Sequence, residues 1–198
     1  MAHGAESGTI VILNGTSSAG KTSILKALQR TLPAPYLDAG IDRFIFMLPS
    51  PYLNRPLWDD VLGLADRAGA MGHQLFSGMH RAIAALAHAG NNVLADHVLV
   101  EPSWVAECAT LFADLPAYLI GVHCALEILE ERERSRGDRT LGQARTQFGV
   151  VHQHVVYDFV VDSGVANVDE CAAAIQSYLT SGAQPTAFAR LRMQAAAK

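Results

Sequence analysis

Residues 15–22 read Gly15-Thr16-Ser17-Ser18-Ala19-Gly20-Lys21-Thr22, which is the G-x-x-x-x-G-K-[ST] pattern, and they lie between an apolar run and a helix-like stretch. The chemistry implied is phosphate capture. Backbone N–H groups of residues 17–22 turn inward around an anion, and the first turn of the following helix adds partial positive charge. Lys21 supplies a point charge for the β- and γ-phosphate oxygens, the Thr22 hydroxyl suits Mg²⁺, and Ser23 carries the loop into the helix. ATP and Mg²⁺ are the cofactors expected from such a loop. The bland alternative is a chance match in a Ser/Gly-rich turn, and the flanking strand and helix patterns speak against it.

Two carboxylates stand at the ends of other apolar runs. Asp42 follows residues 36–39, where it can accept the proton of a hydroxyl held in line with the γ-phosphate, or can cap a short helix running to Phe46. Asp96 ends residues 93–95 in the manner of a carboxylate that holds Mg²⁺ directly or through water; a structural turn is its other reading. Asp42, Asp96 and the adjacent His97 are the expected substrate contacts. Arg132, Arg134, Arg136 and Arg139 crowd one segment, partly neutralised by Glu127, Glu130, Glu131 and Glu133, as on a solvated helix. The Gly137-Asp138 break suits instead a mobile lid, with Arg136 and Arg139 brought onto the transferring phosphoryl group and Arg132 onto the nucleotide. His152 and His154 supply two ligands of a zinc site with no companion Cys/His pair. Phe44, Phe46, Tyr52, Trp58 and Phe76 read as an aromatic wall or as core.

These residues need a scaffold that brings strand ends together. Short β-branched or apolar runs at 9–13, 36–39, 93–95, 117–122 and 157–161 predict five strands. Helical spacing predicts helices over 21–32, 42–46, 101–112, 126–136, 141–151 and 168–179, and at least one long helix within 59–89. Residues 50–56 read as a loop. Strands alternating with helices imply an α/β fold, a parallel five-stranded sheet with helices on both faces and a small arginine-containing lid. One domain over 1–198 is expected, with a core at 9–180, an acceptor-side helical region at 50–90, a lid at 132–145 and a tail at 182–198.

The 198 residues fit one domain of about 100–200, and 17% charged residues against roughly 25% on average argues for a well-buried core. The net charge of −4 speaks against a general nucleic-acid binder or a membrane-surface protein. Cys108, Cys124 and Cys171 are too few and too widely spaced for a disulfide framework or a paired-cysteine metal site, which fits a reducing compartment. Asp114, Pro116, His123 and Glu127 interrupt the most apolar window, and residues 1–8 lack a secretory pattern, so a cytoplasmic location is expected. No Asn-Lys pair occurs, which removes the base-reading motif of a guanine-specific switch.

The stretches 12–22, Gly40-Ile41-Asp42 with Met47-Leu48-Pro49, 92–96, 136–139, Val151-His152, Val156-Tyr157-Asp158 and Val161-Asp162 run in order from residue 9 to about 178. Together they resemble the chloramphenicol phosphotransferase family of P-loop kinases. The resemblance implies transfer of the ATP γ-phosphate to a hydroxyl of a small molecule, chloramphenicol in the named member. It puts Asp42 on the family's base, Lys21 and Thr22 on its phosphate and Mg²⁺ contacts, and the arginines around Gly137 on its lid. A homodimer is expected from the resemblance and from the Ala/Gly-rich helix. Thr16 replaces a glycine, His97 stands in place of a second aspartate, and residues 50–78 match poorly. The same scaffold also serves nucleotide, sugar or shikimate-like kinases and ATP-dependent regulatory switches.

Overall fold

The computed structural model describes residues 6–54, 57–62, 69–136 and 141–196. Its centre is β1 (Ile10–Asn14), five residues that are all buried, as a strand covered on both faces must be. The other strands are β2 (Tyr36–Asp38), β3 (Asn92–His97), β4 (Ala117–His123) and β5 (Phe159–Asp162). They form one parallel sheet in the order β2-β3-β1-β4-β5, so the expected α/β architecture is what the chain adopts.

Register puts the chemistry on one edge. Leu13 pairs with Asp96, and Asn14 with both His97 and Gly121, so the loop after β1 and the ends of β3 and β4 emerge side by side. In a parallel sheet this carboxyl edge is where ligands gather.

Helices α1 (Lys21–Thr31) and α8 (Val168–Thr180) cover one face, where Val11, Leu13, Ile24, Leu28, Leu94 and Ile175 pack together. Helices α4 (Ala70–His88), α5 (Pro102–Leu111) and α9 (Ala187–Ala196) cover the other. Full burial of each such Leu, Ile, Phe or Met contributes about 1.5–3 kcal/mol. The apolar stripe of α4 is spent here: Phe76, Met79, Ile83 and Ala87 lie in the chain's own core, which removes the sequence argument that this helix pairs two copies.

The smaller helices are α2 (Ile41–Ile45), α3 (Trp58–Leu62), α6 (Leu126–Arg136) and α7 (Gln143–Phe148). Residues 50–56, expected as a loop, contain one 3-10 turn at Ser50–Leu53 with Pro51 in its first turn. The described part of the tail expected over 182–198 packs into the fold, with Ala187–Ala196 helical. Phe188 meets Phe112 edge to face, Arg192 donates to the Ala109 carbonyl at 2.6 Å, and Asp158 Oδ1 accepts the N–H groups of Thr186 and Ala187 at the start of α9. Among the described residues no helix is long and apolar enough to cross a membrane.

Candidate functional site

The loop after β1 needs its two glycines for different reasons. A Cβ on Gly15 would lie 2.4 Å from the Val122 carbonyl oxygen, so β4 approaches too closely for any side chain. Gly20 has open space but sits at φ +80°, a left-handed conformation, and Ser18 at φ 65° shares that region. Left-handed residues this close together fold the backbone into an anion-sized concavity. The Ser18 hydroxyl is buried within it and has no partner among the described residues.

Lys21, the first residue of α1, is buried and donates its Nζ to the Thr16 carbonyl at 2.8 Å. Two backbone donors expected to face phosphate are engaged: Ser17 N–H with Gln147 Oε1 at 2.6 Å, and Ala19 N–H with the Thr16 carbonyl at 3.2 Å. The Thr22 hydroxyl donates to Asp96 Oδ2 at 2.5 Å. Two oxygen ligands from adjacent strand and helix ends, with no nitrogen or sulfur between them, suit a hard cation such as Mg²⁺.

Asp96 is fixed from its other side as well. A Cβ on Gly40 would stand 2.1 Å from Asp96 Oδ1, so only glycine at position 40 lets that carboxylate reach Thr22. Gly40→Ala is expected to raise the Mg²⁺ concentration for half-maximal activity about tenfold, the scale of lost ligand support. Titration of ADP release with Mg²⁺ measures it, and an unchanged midpoint would mean that Asp96 does not act through this position.

Asp42 does not cap α2. The cap position is Gly40, with no side-chain cap bond, and Asp42 lies within the first turn. It lines one cavity together with Lys21, Thr22 and Asp96. Ser17, Ser18, Gly20 and Ser23 also line that cavity, whereas Gly15, Thr16 and Ala19 do not and hold the loop from behind. The far wall is apolar, made by Ile41, Ile45, Leu62, Val98, Val100 and Trp104.

A second cavity opens on the other side of the loop, sharing Ser18, Gly20, Ser23 and Arg136 with the first. Arg136 ends α6, is exposed, and lines both. Arg132 lines the second but is less free than a solvated helix would leave it: its Nη2 donates to the Ser163 carbonyl at 2.8 Å, bracing the turn after β5. Arg139 and the Gly137-Asp138 break lie outside the described residues.

His97, expected as a substrate contact, lines neither cavity. It is fully buried, takes the Val98 N–H on Nδ1 at 2.7 Å and meets His80 through Nε2 at 2.9 Å. Strand alternation explains this, because Asp96 and His97 leave opposite faces of β3. His152 stacks on His123 with centroids 4.1 Å apart and shares a 2.5 Å hydrogen bond with Tyr157. His154 is exposed, and no group of three His, Cys, Asp or Glu that could hold a metal occurs among the described residues.

Sequence reasoning passes over Gln143 and Gln147, both buried on α7 and lining the cavity, although their i, i+4 spacing within a predicted helix is a usable signal. It places Glu133 on a solvated helix face, whereas the carboxylate is buried, accepts the Gly142 and Ala144 N–H groups at 2.8 Å each and so fixes the start of α7.

The chain matches the family described as chloramphenicol phosphotransferase-like protein over residues 8–180. A Mycobacterium tuberculosis H37Rv protein named "Putative O-phosphotransferase Rv2636" is 35% identical over 96% of this chain and 90% of its own length. Among solved structures, an unliganded sugar kinase from Janibacter sp. HTCC2649 superposes with TM-score 0.66 at 13% identity, covering 89% of this chain and 96% of that one. The Mycobacterium tuberculosis APS kinase, solved with AMPPNP and APS, gives 0.62 at 19% identity over 88% and 99%.

Proposed function

The chain belongs to the chloramphenicol phosphotransferase-like family of P-loop kinases, and from that premise we propose that it moves the γ-phosphoryl group of ATP to a hydroxyl of a small, uncharged molecule. The observation that carries this reading is one cavity in which Asp42 shares the lining with Lys21 and Thr22. A hydroxyl entering from the apolar wall meets a carboxylate that can take its proton, opposite a loop built for phosphate.

Each residue then has a role within this proposal. Ser18, Gly20, Lys21 and Ser23 hold the triphosphate, with Arg132 and Arg136 bordering the nucleoside side. Thr22 and Asp96 would hold Mg²⁺, which when bound neutralises phosphate charge. Arg136 balances charge on the transferring group, the role the family resemblance also gives Arg139. Asp96 is tied to Thr22 on the metal side, and Asp42, on the lining beside the apolar wall, orients the acceptor.

The acceptor half of the lining carries no cation among the described residues, since Lys21 and Arg136 are the only two and both border the phosphate end. An anionic acceptor would find no described partner there. The fold likeness to a sugar kinase supports a metabolite alcohol, with a sugar ring laid on Trp104, more than it supports chloramphenicol.

The test is ADP release from Mg²⁺-ATP with and without chloramphenicol, adenosine, simple sugars and shikimate, followed by mass analysis of each alcohol. A phosphorylated product in any uncharged arm supports the proposal and names the acceptor. ATP bound with no acceptor modified would overturn it in favour of an ATP-dependent regulatory switch.

A further inference from the structure

Behind the acceptor wall runs a chain of hydrogen bonds that the proposed reaction leaves without a role. It begins at a backbone N–H, which can only donate, and this fixes every proton along it. Val98 N–H points at His97 Nδ1 from 2.7 Å, so that nitrogen is bare and the proton of the neutral ring sits on Nε2. His97 Nε2–H then donates to His80 Nε2 at 2.9 Å. His80 must therefore carry its own proton on Nδ1, which it donates to Glu107 Oε2 at 2.9 Å. Glu107 Oε1 accepts from Ser77 at 2.6 Å, with Arg81 beyond at 3.4 Å. One arrangement of protons satisfies every member, and burial holds both imidazoles below the ordinary histidine range and so uncharged at neutral pH.

The chain ends on the segment that forms the cavity wall. Val98 and Val100 line the cavity, and the backbone between them is clamped a second time: Leu99 N–H donates to Asn14 Oδ1 at 2.8 Å. Asn14 is itself held, its amide donating to the Val151 carbonyl at 3.0 Å and to Tyr157 at 2.8 Å. The His97 ring also packs 5.7 Å from Trp104, the aromatic part of the same wall. Burying two imidazoles without a ligand is costly unless both are fully bonded, and here the bonds converge on residues 98–100.

We propose that His80 and His97 are positioning residues that set acceptor affinity by holding residues 98–100 and Trp104 in place. The inference rests on the reading that Val98, Val100 and Trp104 face the acceptor. Asn14 fixes the same segment from the β1 side, so loss of the histidine chain loosens the wall without dissolving it. The phosphate loop meets His97 through backbone, Gly15 N–H with the His97 carbonyl at 3.4 Å, a contact that substitution of the His80 side chain does not remove.

Two measurements test this on the full chain. Nitrogen-15 correlation spectra of the wild-type histidines should give the Nε2–H tautomer for His97 and the Nδ1–H tautomer for His80, and any other pair overturns the chain. Kinetics are read by ADP release with Mg²⁺-ATP and the same uncharged alcohols. His80→Phe should raise acceptor KM about tenfold through the unpaired His97 donor, with kcat and the KM for ATP within about twofold. His80→Gln, whose Oε1 can still accept from His97, should recover most of that loss. An unchanged acceptor KM in His80→Phe, with wild-type protein active, overturns the positioning role alone. Wild-type protein that phosphorylates none of the alcohols removes the reading of the site and this inference with it. A His80→Phe chain that fails to fold leaves the wild-type tautomers and His80→Gln to decide, the latter against an equal loss in kcat and both KM values.

Discussion

Lys21→Ala is expected to lower kcat about 1,000-fold, the loss seen when a preorganised charge or donor facing a reacting group is removed. The structure shows why little else can replace this side chain. Its Nζ is buried at the floor of the loop and bonded to the Thr16 carbonyl at 2.8 Å, so the loop's own backbone fixes where the ammonium stands. A phosphate oxygen carries full charge, so its Coulomb attraction for the ammonium adds to a hydrogen bond that the neutral carbonyl makes without it. The imidazoles nearby do not compete. Burial, then His123 and the Lys21 charge, hold His152 down to about 4, and burial together with His80 and Lys21 holds His97 well below its ordinary value. Both are depressed bases, so at pH 7 they are neutral and Lys21 is left to supply the charge. ADP release in the presence of acceptor, compared with a thermal melt of the same variant, separates lost chemistry from lost fold. Activity above about a tenth of wild type at unchanged stability would remove Lys21 from the reaction.

What the sequence could disclose follows from where the determinants lie along the chain. The strand before residue 15 and the helix after Lys21 are local patterns, and the loop motif is contiguous, so all three are readable from neighbouring residues. Strand order is a matter of pairing between distant segments. That Asp96 lands beside Thr22 depends on the register of β3 against β1 and on a glycine at position 40. Nothing near Asp96 in sequence announces that glycine. His97 shows the opposite error: adjacency to Asp96 suggests a place in the site, yet the period of a strand turns successive side chains to opposite faces. Among the aromatic residues, Phe76 is core and Phe46 is 71% exposed, while Trp104 on the cavity wall is supplied by α5, with α4 and β3 between it and α3. The docking of the helix over 187–196 is not legible in its own residues, because it depends on Asp158, which caps it from a segment 28 or 29 residues earlier.

Asp42→Asn is expected to lower kcat about 100- to 10,000-fold while leaving the affinity for ATP within about threefold, the pattern of a lost general base. The two carboxylates of the cavity are distinguished by where they stand on its lining. Asp96 accepts the Thr22 hydroxyl through one oxygen and rests its other against Gly40, so turning toward an acceptor would break a contact on each side. Asp42 stands in the first turn of α2, half-buried, on the lining that faces the apolar wall. Asparagine preserves the shape and keeps an oxygen for orientation, but it cannot take a proton. Its cost to α2 is small, since a carboxylate in a first turn contributes about 0.3–1 kcal/mol through the helix dipole. The proposed triphosphate contacts, Ser18, Gly20, Lys21 and Ser23, belong to the loop after β1 and the start of α1 and not to α2, so the substitution is expected to leave them in place. Equilibrium binding of ATP and single-turnover phosphoryl transfer, measured on one preparation, read the two effects separately. A collapse of ATP affinity in step with kcat would make Asp42 a support of the loop, and the proton would then have to leave the acceptor hydroxyl by another route.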